Sequence, residues 1–199
     1  GDVTPYVEAR LWDDGDIPTL ALMCEKVKAH GALSAVELTH NGYTSSNLYS
    51  REVPISPMHT PMKYGYPLQA RAMTLHDIRE YRRWHKNAAV RAKRAGFDII
   101  YVYAAHDLSL AMHFLQRRRN QRNDDYGGTL ENRCRFPLQV FTAMRAVWPS
   151  HKPMSVRISA HDWAPGGNTD DDAVEIALLF KNAGCDLIDV SSGQTTRAA

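Results

Sequence analysis

Four short apolar runs punctuate the chain: Leu33 to Leu38, Asp98 to Tyr103, Met154 to Ser159 and Asp186 to Ser191. Each is largely continuous rather than alternating, the pattern of parallel strands covered on both faces. Between them apolar residues recur every three to four positions, which predicts helices. The clearest spans Thr74 to Ala95, with Leu75, Ile78, Tyr81, Trp84, Ala88 and Ala92 on one stripe. Thr129 to Val147 and Asp170 to Ala183 repeat the pattern, and an earlier helix runs from about Asp16 to His30. Thr74 followed by Asp77 fits a capping arrangement. Gly31, Gly96 and Gly184 each follow a helix, where a left-handed residue ends it. Arg-Ala-Gly-Phe-Asp at 94–98 and Asn-Ala-Gly-Cys-Asp at 182–186 are the same transition twice: a helix stops, a glycine turns, a strand begins.

The predicted order is therefore α, β, α, β, α, β, α, β. Such alternation implies an α/β fold with a parallel sheet and right-handed crossovers. A doubly wound sheet and a (β/α)8 barrel both fit, and the spacing does not decide between them. A complete barrel needs about 250 residues and eight strands, so a barrel here would be a partial one.

Composition narrows the functional classes. The 199 residues are 44% hydrophobic and 23% charged, with a formal net charge of +2. That balance gives no case for nucleic acid, and the run Arg117, Arg118, Arg119, with Arg122 close behind, reads as a solvated loop. Cys24, Cys134 and Cys185 are far apart and form no CxxC, which points to a reducing, cytoplasmic setting without a disulfide or zinc framework. No apolar run reaches the roughly 20 residues of a membrane span. HExxH, GxGxxG and Walker patterns are all absent, so no metal is expected and no glycine-rich phosphate loop occurs here.

In either α/β fold, functional groups gather beyond the C-terminal ends of the strands. The first strand ends in Glu37-Leu38-Thr39-His40-Asn41-Gly42 and the second in Tyr103-Ala104-Ala105-His106-Asp107. The third carries Arg157 and runs into His161-Asp162-Trp163, and the fourth carries Asp189 and ends in Ser191-Ser192-Gly193. Ionisable residues at the same end of four successive strands point to one shared site.

The stretch Asn120 to Phe136, reading NQRNDDYGGTLENRCRF, resembles the N-x-R-x-D-x-Y-G-G-S-x-E-N-R-x-R-F signature of the old yellow enzyme superfamily of FMN-dependent barrels, with Thr129 in the serine place. The resemblance extends in register over essentially the whole chain. Tyr101-Val102-Tyr103-Ala104-Ala105-His106 and Val36-Glu37-Leu38 are closer to its trimethylamine, dimethylamine and histamine dehydrogenase branch. Simple ene-reductases place histidine at Tyr103 and glutamine at Glu37. Val156 to Ala160 and Asp189 to Gly193 resemble the general NADH:flavin oxidoreductases.

The resemblance implies a partial (β/α)8 TIM barrel, strands 3 to 6 with their helices. Residues 1–199 would be the central portion of one FMN-binding domain whose N- and C-terminal parts lie outside the chain. By the same resemblance Arg157 lies near the N1–C2=O edge of FMN, where a guanidinium stabilises the reduced ring. Glu37 accepts the flavin N3–H, and His40 either contacts the cofactor or shapes the loop around it. Tyr103 and His106 face the substrate, and Asp189 joins them as a candidate catalytic residue at the site rim. Tyr126, Glu131, Asn132 and Arg133 are architectural, while Trp84, Trp148 and Phe180 belong to the core. Leu108 stands where many family members carry a further tyrosine, which counts against an ordinary ene-reductase.

The expected function is FMN-dependent two-electron transfer between a small amine or NAD(P)H and flavin. An iron–sulfur cluster is placed only in the region beyond the chain. Reduction of an enone or enoyl-CoA is the alternative activity. A catalytically incomplete fragment, inactive alone, is the alternative of another class. The partners expected are small molecules, with no nucleic acid or membrane, and homo-oligomerisation stays open.

Overall fold

The computed structural model describes residues 9–63, 68–193 and 195. In chain order the elements are α1 (Ile17–Lys28), β1 (Ala35–Leu38), β2 (Ile55–Ser56), β3 (Thr60–Pro61), β4 (Gln69–Ala72), α2 (Leu75–Ala95), β5 (Ile99–Ala104), α3 (Leu110–Leu115), α4 (Leu130–Arg145), β6 (Met154–Ser159), α5 (Asp170–Asn182) and β7 (Leu187–Ser191). Short 3-10 turns cover Asp14–Asp16 and Gly42–Thr44. All four predicted strands and four predicted helices are present. The predicted element order lacked α3, the two 3-10 turns and the small strands β2 to β4.

Four strands form one parallel sheet in the order β1-β5-β6-β7. The register sets Tyr103 beside Arg157 and Arg157 beside Asp189. Side chains alternate between faces along a strand. Ile100, Val102, Ala104, Met154, Val156 and Ile158 therefore share one face, and all are buried in a single core with residues of all five helices. Glu37, Tyr103, Arg157 and Asp189 share the other. Helices on one face only make this the wall of a barrel rather than a doubly wound sheet, which needs them on both.

Local chemistry explains the helix ends. The Thr74 hydroxyl accepts from the Asp77 N–H at 3.2 Å, and the Asp77 carboxylate accepts from the Thr74 N–H at 2.7 Å. Thr169 and Asp172 build the same reciprocal cap on α5. Gly96 closes α2 at φ +93°, a conformation that disfavours any side chain with a Cβ. Phe114 and Phe136 stack at 4.0 Å, with Tyr81 4.9 Å from Phe136, joining α2, α3 and α4. Trp148 and Phe180 are buried as expected. Trp84 is a correction: it is 43% exposed, at the margin of the apolar stripe of α2.

Residues 41–63 and 68–73 form an arm between β1 and α2. Its three strands pair in the order β2-β4-β3, parallel on one side and antiparallel on the other. A small apolar cluster of Tyr43, Met62 and Ala70 lies beneath. Among the described residues no helix is long and apolar enough to cross a membrane.

Candidate active site

The face of the sheet opposite the helices carries a compact polar group. Arg157 Nη1 lies 3.4 Å from Glu37 Oε1 across β5, and its Nε lies 3.6 Å from Asp189 Oδ2 on the neighbouring strand. The same Nε donates to the Ser191 hydroxyl at 2.8 Å. The guanidinium carbon sits 5.9 Å from the centre of the Tyr103 ring. His106 continues the row, its imidazole stacked near the phenol at 6.3 Å and 20°. Strand parity produces this convergence: Glu37, Tyr103, Arg157 and Asp189 all project from the same face of adjoining strands.

The environment sets the protonation states. Burial, reinforced by Glu37 and Asp189 and opposed by Arg157, pushes the Tyr103 phenol up to about 12. Burial and then the Arg157 charge push the His106 imidazole below its ordinary value. At neutral pH both groups are uncharged: a phenol that donates, and an imidazole that can donate or accept. The His106 Nδ1 atom is buried and has no hydrogen-bond partner.

His40 does not join this group. Residues 36, 38 and 40 share the helix-side parity, and the imidazole packs on α2, stacked on Trp84 at 6.3 Å and tilted against Tyr81 at 5.9 Å. Its Nδ1 accepts the Gly42 N–H at 3.1 Å. Burial lowers its proton affinity well below the ordinary histidine value. Of the two roles left open for His40, shaping the loop or contacting the cofactor, this packing supports the first.

Two serines complete the site without having been singled out. Ser191 orients Arg157, and the Ser159 hydroxyl accepts the His106 N–H at 2.9 Å. Both lie at strand ends with inward parity, and that parity was the signal available in the sequence. Asp107 is the larger omission: it is wholly buried and faces Lys63, Arg119 and the neutral His113 imidazole, from three other segments.

The signature stretch is structural. Arg133 is buried and donates to Leu115 O at 2.9 Å, Gly128 O at 2.7 Å and Asn168 Oδ1 at 3.3 Å. Asn120 Nδ2 spans Phe114 O at 2.8 Å and Tyr126 O at 2.7 Å. The arginine run is not wholly solvated. Arg119 lies over Tyr43 at 5.3 Å, and Arg122 donates to Pro57 O and Met73 O at 3.0 and 2.7 Å.

The sequence pattern of the NADH:flavin oxidoreductase / NADH oxidase family matches residues 3–199. The chain belongs to this family. Among the family's curated members, it is 38% identical over 201 residues to the NADPH dehydrogenase of Halalkalibacterium halodurans, covering 100% of this chain and 56% of that one. It is 41% identical over 190 residues to the NADPH dehydrogenase of Geobacillus sp. (strain WCH70), covering 94% and 53%. The chain thus spans about half the length of these relatives. Histamine dehydrogenase from Rhizobium sp. 4-9 superposes with a TM-score of 0.90 at 39% identity, over 97% of this chain and 28% of that one. Morphinone reductase superposes at 0.81 with 28% identity, over 94% and 55%. These structures are old yellow enzyme-type (β/α)8 barrels, and the four-stranded wall is a stretch of that barrel.

Proposed function

We propose that the protein is an FMN-dependent oxidoreductase, with this chain as the central portion of one barrel domain. The carrying observation is the Glu37–Arg157 pair at 3.4 Å on the open face. A carboxylate acceptor beside a guanidinium donor complements an imide N–H beside a carbonyl, the pyrimidine edge of a flavin. The bound flavin supplies acceptance of a hydride equivalent. Arg157 holds that edge and opposes the negative charge that reduction places there, while Ser191 and Asp189 keep its fork in place. Tyr103 and His106 form the wall that orients the substrate, the phenol donating a hydrogen bond and the neutral imidazole accepting or returning a proton.

The electron donor in this reading is a small amine or NAD(P)H. Two carboxylates around one guanidinium, at 3.4 and 3.6 Å, favour a cationic amine at the site. The second reading, reduction of an enone or enoyl-CoA, draws on Tyr103 and His106 as paired donors to a carbonyl. Leu108, in place of a proton-donating tyrosine, weighs against it. Among the described residues no group of three or more His, Cys, Asp or Glu could hold a metal ion. An iron–sulfur centre, in the amine dehydrogenase reading, lies outside this chain.

The test is the colour of the purified full-length protein. Flavin absorbance near ~450 nm is expected, bleached anaerobically by an amine or by NADPH. Arg157→Ala should weaken FMN retention and slow bleaching. Full-length protein that is colourless and takes up no added FMN overturns the proposal. Bleaching by NADPH alone, with turnover of an enone, selects the second reading.

A further inference from the structure

His106 and Asp107 are consecutive residues with left-handed backbones, φ +60° and +52°, and neither is glycine. Each such residue costs about 1–2 kcal/mol relative to a right-handed one, so the pair persists only if its surroundings hold it. From one side, the Ser159 hydroxyl takes the His106 N–H. On the other side lies the wholly buried Asp107 carboxylate.

Three chain segments outside the β5 loop reach that carboxylate. The Tyr43 hydroxyl, from the turn after β1, donates to Oδ2. Lys63 Nζ, from the arm, lies 3.2 Å from the same oxygen, and Arg119 Nη2 lies 3.9 Å from it. His113 Nε2, on α3, approaches Oδ1 at 3.5 Å and the Asp107 carbonyl at 3.3 Å. His113 is itself fixed: a Cβ on Gly42 would stand 2.6 Å from its Nδ1, so the chain at residue 42 packs directly on the imidazole. The Tyr43 ring packs tilted against it, centroids 4.3 Å apart. A buried carboxylate without such partners would be strongly destabilising. With them it ties the residue after His106 to the arm, to α3 and to the 119 loop at once.

We infer that Asp107 is a positioning residue: its buried carboxylate, clamped by Tyr43 and Lys63, with His113 on its carbonyl, locks the left-handed turn that aims the His106 imidazole along Tyr103. Its effect on turnover rests on the reading of His106 as substrate-facing; its effect on imidazole placement does not. Removing the charge frees the turn to relax, and the imidazole leaves the shelter of Tyr103 and the field of Arg157.

The test uses the full-length FMN-loaded protein with Asp107→Asn, which tolerates a left-handed backbone, and Tyr43→Phe as a milder change. Histidine side-chain NMR follows the His106 titration, assigned by its loss in His106→Gln. The midpoint should rise from its depressed value toward about 6.5 in both variants. Turnover should fall about 10- to 100-fold in Asp107→Asn, with KM changed far less. Lower thermal stability with an unmoved His106 titration would show a purely structural carboxylate and overturn the inference. If Asp107→Asn fails to fold, Tyr43→Phe decides by the same titration. Full turnover in His106→Gln would instead sink the substrate-facing reading, while the titration still decides the positioning.

Discussion

The helix-clad wall and the arm of residues 41–63 and 68–73 are built on opposite principles. The wall buries continuous apolar surface: Ile100, Val102, Met154, Val156, Phe136 and Phe141 are each at most 1% exposed. Its cohesion is spread over many equivalent contacts between neighbouring elements. The arm has only Tyr43, Met62 and Ala70 as its own apolar cluster. It is held to the barrel by two side chains that reach the main core, Ile55 and Met73, and by a few polar ties across large sequence separations, Tyr43 to Asp107 and Arg122 to Pro57 among them. A diffuse apolar interface loses stability in proportion to volume removed, whereas a sparse polar one fails at single atoms. The arm also delivers two of the groups that hold the Asp107 turn, so its attachment bears on the site.

Substitutions can break this contrast. The largest expected loss is in the wall. Phe136→Ala removes a fully buried ring stacked on Phe114 and should cost about 3–5 kcal/mol, read as a lower denaturant midpoint for the whole protein. An equally large effect confined to the arm would contradict the division.

Acid should strain both regions through buried neutral histidines. Burial lowers His85, in the wall, and His113, beneath the arm, each to about 4. The unfolded chain binds their protons near 6.5, so stability is full above that pH and falls as pH drops toward 4. The loss approaches about 3 kcal/mol for each histidine. His85→Gln and His113→Gln should each flatten part of the stability–pH curve between those limits, and an unchanged slope in both would count against this assignment.

A smaller and more local effect is expected from Arg122→Ala. It deprives Pro57 O and Met73 O of their donor and should cost about 1.5–3 kcal/mol. Hydrogen exchange should accelerate around residues 55–73 while β5 and β6 stay protected. Uniform acceleration across the sheet would show that arm and wall unfold as one unit.

The same contrast explains what was legible in the sequence. The wall could be read because its strands and helices are local patterns, and the turn glycines and the Thr74 cap mark where they end. Glu37, Tyr103, Arg157 and Asp189 were legible because strand ends concentrate polar groups. For His40 the resemblance left loop-shaping and cofactor contact equally open, and only the structure shows its ring packed toward α2. Trp84 was misjudged because a helical stripe has margins as well as a centre. The arm was opaque: its strands of two to four residues carry no periodicity, and its ties join residues some 64 positions apart. Asp107 was quoted only as the neighbour of His106, since nothing local announces that a carboxylate will be enclosed.

Among the described residues the parallel sheet has two outer strands, β1 and β7, each paired with a strand along one side. Leu187 and Val190 on β7 are 50% and 62% exposed, which leaves greasy side chains along a sheet edge. Such margins template further strands. Produced in isolation, these 199 residues should self-associate or precipitate unless adjoining strands of the barrel seal both borders, so solubility itself becomes a measure of barrel closure.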